Sequence, residues 1–199
     1  MPDRITKEFY NTGLSFEEFL GSATEDERKR AQLYYRRCEK KFSPEDYRID
    51  LEHPVNLLAV GTTWCWDSQT HIPILVRMAE HNPKINLRIF NKDQYPFLIN
   101  KINGGEKVPQ VLVFTQDFYY LTRWVERSTP AYQLVAELRK KIGWEEKNSK
   151  AFTKEFHKQF LRNQKMMEEA FIQEIRTLLI RTDAIQGTTS RLYKNNKLK

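Results

Sequence analysis

The chain has 199 residues, 40% hydrophobic and 30% charged, with 33 Lys and Arg against 26 Asp and Glu for a formal net charge of +7. That length suits one well-buried domain with attachments and is a tight fit for two independent ones. No stretch reaches the roughly 18 consecutive apolar residues of a membrane span, residues 1–8 lack the apolar core of a signal peptide, and the basic residues interleave with Glu; the expectation is a cytoplasmic protein with no membrane or nucleic-acid partner.

The first fifty residues read as helical. Ser15 caps a short helix through Leu20, and Thr24 followed by Glu27 is a capping-box pattern that opens a longer helix ending near Phe42. Leu33, Tyr34, Arg37, Cys38 and Lys41 fall on adjoining turns, which leaves Cys38 open between a packed small hydrophobe and a half-exposed thiol. Ser43-Pro44-Glu45-Asp46 starts one further turn, since Ser suits the cap and Pro the first helical position.

From Val55 to Val60 the chain is a nearly continuous apolar run of strand length, as expected for a strand buried on both faces, and Gly61-Thr62-Thr63 ends it. A helix is predicted from about Cys65 to Glu80, with Ile72, Leu75, Val76 and Ala79 on one face and a kink at Pro73. Ile85 to Phe90 follows as a strand, Gln94 to Ile102 as a short helix and Asn103-Gly104-Gly105 as a turn. Val108 to Phe114 and Phe118 to Val125 form a predicted antiparallel hairpin joined by Thr115-Gln116-Asp117, and Thr129-Pro130 opens a helix to Ile142. This order predicts a layered α/β sheet whose first crossover is parallel and whose last pair is antiparallel.

After Gly143 the pattern is helical. Phe152, Phe156 and Phe160 recur every four residues, and Met167, Phe171, Ile175, Leu178 and Leu179 continue the stripe. The stripe is expected to bury on the N-terminal helices, on a second copy of the chain or on another protein. The basic end, Arg191 to Lys199, is expected to be a solvated, partly disordered tail.

The residue that carries chemistry is Cys65, in Trp64-Cys65-Trp66-Asp67-Ser68. A reducing cytosol argues against a structural disulfide with Cys38, so the two are expected as independent thiols. At the first turn of a helix, unpaired N–H groups and the macrodipole favour the thiolate and should lower its pKa, while a carboxylate at Asp67 opposes that effect. Ser68 stands one turn on, where its hydroxyl can donate to the sulfur. Trp64 and Trp66 flank the thiol, to shield it or to offer a surface to a peptide. His71 lies well round the helix and reads as a surface or packed residue. The four histidines show no metal-site spacing, and no glycine-rich phosphate loop appears, so neither metal nor cofactor is expected.

These spacings resemble the thioredoxin family: Trp64-Cys65 at a strand-to-helix junction, Pro73-Ile74-Leu75 along the same helix, and Val108-Pro109 where the family has its cis-proline. Within it, the Trp-Cys-x-Asp form resembles a bacterial thioredoxin-like group. The resemblance implies a thioredoxin-like three-layer α/β sandwich with a mixed central sheet over residues 53–143, a helical N-terminal extension over 1–52, and a long C-terminal helix with basic tail over 144–199. It makes Cys65 and Ser68 the catalytic pair and Trp64, Trp66, Val108 and Pro109 the substrate-binding residues. Two family features are replaced: Ser68 stands for the second cysteine and Ala59 for the buried acid that accepts a proton.

The implied function is a monothiol thiol-disulfide oxidoreductase that works through a mixed disulfide on Cys65, on protein thiols or disulfides, with release by a low-molecular-weight thiol or a second protein. Cys38 is a variant resolving thiol if the N-terminal helices bring it close. The alternative is a non-catalytic thioredoxin-fold protein-binding module. A homodimer through the C-terminal helix is a further expected association, and an iron–sulfur centre shared across a dimer is the third reading, with no partner thiol implied.

Overall fold

The computed structural model describes residues 5–101, 105–143, 145 and 149–196. Asn103 and Gly104 of the expected turn, and residues 197–199 of the tail, lie outside them. Four helices come first: α1 (Lys7–Asn11), α2 (Phe16–Leu20), α3 (Glu25–Lys41) and α4 (Pro44–Tyr47). Each starts at a hydroxyl residue, Thr6, Ser15, Thr24 and Ser43, and α2 and α3 carry the full capping boxes Ser15/Glu18 and Thr24/Glu27. There follow β1 (Val55–Gly61), α5 (Trp66–Glu80), β2 (Ile85–Asn91), α6 (Pro96–Lys101), β3 (Gln110–Thr115), β4 (Tyr120–Val125), α7 (Thr129–Ile142), α8 (Ser149–Arg162) and α9 (Gln164–Asn196).

The chain divides into two compact units, one of residues 1–126 with 175–199 and one of residues 127–174. In the first, the four strands lie in the order β2-β1-β3-β4, with β1 and β2 parallel and the other neighbours antiparallel. The mixed sheet and its thioredoxin-like layering are thus those the sequence predicts. β1 is fully buried because both of its faces are covered. Leu58 and Val60 point with Phe90, Leu112 and Phe114 into a cluster closed by Ile5 and Tyr10 near α1 and by Leu98 of α6. The alternate residue Gly61 faces α5, where an added Cβ would meet Ile72 Cδ1 at 2.5 Å and Ser68 Oγ at 3.1 Å. Only glycine lets the start of α5 sit this close to the strand.

The outer edge of β2 is also used. Leu14 N donates to Ile89 O at 2.7 Å and Ile89 N to Leu14 O at 2.9 Å, a single antiparallel bridge that follows Gly13. Gly13 itself permits the approach, since a Cβ there would lie 2.7 Å from Arg88 Cβ and within 3 Å of the Phe90 ring.

The C-terminal half of α9 is pinned by polar contacts within this unit. Arg176 donates to Asp46 O and Arg48 O, Asp183 accepts from the N–H groups of Glu52 and His53 at 2.8 Å each, and Gln186 bonds Pro54 O and Gln116 N. Asp183 Oδ1 also lies 2.8 Å from His53 Nδ1.

The second unit is helical. Phe152, Phe156 and Phe160 are buried and follow one another at ring separations of about 6 Å, with Arg139 over the Phe152 ring and Arg127 over that of Phe156. Ser128 Oγ donates to Met167 O, and Glu174 accepts from Thr129 N.

Local boundaries differ from the sequence expectation for identifiable reasons. β3 begins at Gln110 and not Val108, because Pro109 has no N–H for a ladder. Phe118 takes a left-handed φ of 61° in the turn closed by its N–H on Thr115 O, so β4 starts only at Tyr120. The long C-terminal helix is present as α9 and carries the tail in helical form to Asn196, with α8 split from it at Asn163, whose side chain turns back to Gln159 O. The apolar stripe is buried within the chain at Phe152, Phe156, Phe160, Met167, Phe171, Ile175 and Leu179, while Leu178 is half-buried.

Candidate functional site

The site forms where β1 turns into α5. Cys65 is the N-cap of α5 with an extended backbone (φ −72°, ψ 123°). Its N–H donates to Thr62 Oγ1 at 3.3 Å, and its carbonyl accepts the first helical bond from Gln69 N at 2.9 Å. Ser68 Oγ in turn accepts from Thr62 N at 3.3 Å. The four-residue turn from Thr62 to Cys65 is therefore closed on itself by two hydroxyls, one before and one after the thiol.

The Val108–Pro109 peptide bond is cis. It brings the Val108 carbonyl to 3.6 Å from Cys65 Sγ, close enough to accept from the thiol. Gln110 Nε2 ties back to Lys107 O at 2.8 Å and Gly105 O at 3.3 Å, and Glu126 N donates to Pro109 O at 2.7 Å. Cys65, Ser68, Val108 and Pro109 are thus gathered at one place although the two pairs lie forty positions or more apart in the chain.

The thiol is half-buried and packs against the apolar cluster that contains Val60 and Val108. Burial is the largest influence on it and pushes its pKa up; the Ser68 N–H lowers it, the Asp67 charge raises it, and the Ser68 hydroxyl and Asp67 N–H lower it again. The net direction is upward. This corrects the expectation of a thiol acidified by the helix start: the N–H groups are in place, but desolvation outweighs them.

Trp64 is 59% exposed, and its indole N–H donates to Asp93 Oδ2 at 2.8 Å. Asp93 is itself set by its N–H on Asn91 Oδ1. Trp66 is half-buried in the first turn of α5. His71 is fully buried, with Nδ1 2.7 Å from Asp67 O and its ring 5.2 Å from that of Trp124, a packed histidine in the core of α5.

Cys38 is buried and not near the thiol. α3 and α5 run side by side with Arg30 against Gln69 at one end and Glu39 against Arg77 at the other. Cys38 neighbours Glu39, so it is level with Arg77, twelve residues of helix or about 18 Å from Cys65. Disulfide geometry needs Cα atoms within about 7 Å, which removes Cys38 as a resolving thiol.

Residues that motif reading did not single out complete the site. Thr63, Glu27, Gln69 and Arg30 form a hydrogen-bonded chain beside the turn, and Asp93 orients Trp64. Glu27 was visible only as a capping residue. Among the described residues no group of three or more His, Cys, Asp or Glu is placed to hold a metal ion, and no helix is long and apolar enough to cross a membrane.

Residues 13–139 match a family model described as thioredoxin. No curated protein matches the chain. Among solved structures, a protein of unknown function, PA1234 from Pseudomonas aeruginosa, superposes with a TM-score of 0.63 at 21% identity, covering 92% of this chain and 99% of that one. An HIV epitope-scaffold of the 4E10 series superposes with a TM-score of 0.61 at 22% identity, covering 87% and 96%. At these identities the two structures establish likeness of fold.

Proposed function

This chain belongs to the thioredoxin family, and on that premise we propose that it is a monothiol thiol-disulfide oxidoreductase acting through Cys65. The observation that carries the reading is the 3.6 Å approach of Cys65 Sγ to the carbonyl that precedes cis-Pro109, at the mouth of a helix whose first N–H groups point at the sulfur. The Cys65 thiolate attacks one sulfur of a substrate disulfide; the new Cys65–substrate bond forms as the old S–S bond breaks, and the other substrate sulfur leaves as a thiolate. Ser68 stabilises the attacking sulfur by its N–H and hydroxyl but offers no second sulfur. An external thiol then attacks the mixed disulfide and restores Cys65. Trp64, Trp66, Val108 and Pro109 hold the substrate segment, and protein thiols or disulfides are the substrates, with a low-molecular-weight thiol as releasing agent in a reducing compartment such as the cytoplasm. We infer further that the Trp-Cys-x-Asp form marks a subgroup of the family, with residues 1–52, 53–143 and 144–199 as helical extension, thioredoxin-like domain and C-terminal helix with tail, and with a homodimer contact through that helix.

Trapping tests this. Incubation with a disulfide substrate should leave a DTT-reversible adduct on Cys65, absent in Cys65→Ser; an unmodified Cys65 under those conditions rejects the enzyme reading. The second reading, a peptide-binding module, is favoured by the upward-shifted thiol and by the exposed Trp64 face. It predicts peptide binding that survives Cys65→Ser.

A further inference from the structure

The turn that seats Cys65 is gripped from α3, an element outside the sheet. Thr63 Oγ1 donates to Glu27 Oε2 at 3.0 Å, and the same carboxylate oxygen accepts from Thr24 N at 3.0 Å. The Thr63 carbonyl accepts from Gln69 Nε2 at 2.5 Å, while Gln69 Oε1 accepts from Arg30 Nε at 3.3 Å. Thr63 and Gln69 are both buried, so these bonds exchange little with water. Both the hydroxyl and the carbonyl of Thr63 therefore end on α3, directly or through one amide, two residues before the thiol.

We propose that Glu27, Arg30 and Gln69 are positioning residues of the Cys65 site, and that through Thr63 they make the N-terminal helical extension the element that keeps the thiol seated and slow to react. The inference rests on reading Cys65 as the working thiol. A turn held at Thr63 cannot swing outward, which keeps Sγ against Val108 O and the apolar cluster around Val60. Since burial is what most holds this thiol in its protonated form, release of Thr63 frees it to ionise at lower pH. A partner that displaces α3 would raise its reactivity by the same route.

The test is the pH profile of Cys65 alkylation by iodoacetamide, followed on the Cys65 peptide by mass spectrometry, in full-length protein. Thr63→Val removes the donor to Glu27 and keeps the shape; Gln69→Ala removes the link to Arg30. Both should move the midpoint down and raise the rate at neutral pH by about threefold or more, the change in thiolate fraction for roughly half a pKa unit. Ser15→Ala, which removes the N-cap of α2 in the same extension, controls for loss of stability and should keep the wild-type midpoint. If Gln69→Ala does not fold, Thr63→Val decides. A midpoint unchanged in Thr63→Val, or lowered equally in Ser15→Ala, overturns the proposal. The readout needs no substrate, so a protein that forms no mixed disulfide yet shows the shift loses only the enzyme reading, and one that forms it without the shift loses only the brace.

Discussion

The Cys65 thiol and the Val108 carbonyl lie 3.6 Å apart across the start of α5, so the thiol and the backbone acceptor that precedes cis-Pro109 are already in contact. In the resting protein that carbonyl serves the thiol itself. In the proposed reaction, a substrate segment would take the carbonyl over and free the S–H as the disulfide arrives.

Cys65 should titrate above an ordinary cysteine. Its raised pKa means that the folded state holds the proton more tightly than the unfolded one, so this group's contribution to stability is full below the unfolded-state value and is lost as pH rises through the folded-state value. Alkylation rates measured across neutral to alkaline pH check this, with the midpoint expected above that of the same cysteine in the urea-unfolded chain. A midpoint below that of the unfolded chain would mean the helix start wins over burial after all.

Asp67→Asn should move the same midpoint down. The Asp67 charge, two residues on in the first turn of α5, raises the thiol pKa, and the amide removes the charge with little change in size. The cost is the loss of a negative charge in the first turn of α5, about 0.3 to 1 kcal/mol of stability. Alkylation kinetics and urea denaturation of the same variant separate the two effects, and a slower reaction at neutral pH would contradict the electrostatic account.

Gly61→Ala should destabilise the fold by about 1 to 3 kcal/mol. The new methyl would start 2.5 Å from Ile72 Cδ1 and 3.1 Å from Ser68 Oγ, and relief requires the packed Ile72 side chain to turn aside or α5 to back away from β1. Chemical denaturation measures the loss; a variant as stable as wild type would show that Ile72 has room to turn aside.

Ser68→Cys should convert the site to a dithiol that reduces insulin with DTT as electron source. Ser68 is one helical turn from Cys65, and its hydroxyl already acts on the sulfur. Turbidity of insulin B chain is the assay. No turbidity from a folded, reduced variant would mean that the substituted sulfur points at Thr62, as the hydroxyl does now, and not at Cys65.

Asp183→Ala should loosen α9 without touching the thiol. It leaves the N–H groups of Glu52 and His53 without their acceptor, a loss of about 0.5 to 1.5 kcal/mol, since the first is exposed and the second half-buried and water replaces part of the bond. Burial pulls the Asp183 carboxyl up, but the Glu52 N–H, the His53 ring and the His53 N–H outweigh it and hold it below the usual carboxylate range. A lowered pKa contributes stability that is present above the unfolded value and is lost as pH falls through the folded one. The protection factors of the Glu52 and His53 amides, which are corrected for the intrinsic pH dependence of exchange, should therefore fall in acid in the wild type and be low at every pH in the variant.

Much of this architecture is legible in local sequence because the signals are local. The apolar run Val55 to Val60 has no helical period, Ser15 caps a helix and Thr24/Glu27 closes a capping box within four residues, and Trp64-Cys65, Pro73-Ile74-Leu75 and Val108-Pro109 sit at thioredoxin-family spacings. What escapes are relationships between segments far apart in the chain. The second donor on Glu27 comes from Thr63, thirty-six residues on. The reversal of the thiol's expected acidity comes from burial supplied by several distant strands and helices, which no count of helix N–H groups contains. The break at Asn163 is likewise silent in the four-residue rhythm, because Phe160 and Met167 remain in phase with an unbroken stripe.

The bridge between Leu14 and Ile89 gives the first fourteen residues a further consequence. An edge strand with open N–H and C=O groups is a template on which another chain can build, and Leu14 fills that template at the middle of β2. A chain trimmed before Ser15 would present β2 bare, with Phe90 losing its stacked neighbour Phe9 as well. Such a fragment would keep its thiol and its cis-proline and still be difficult to handle, because its own sheets would now join edge to edge.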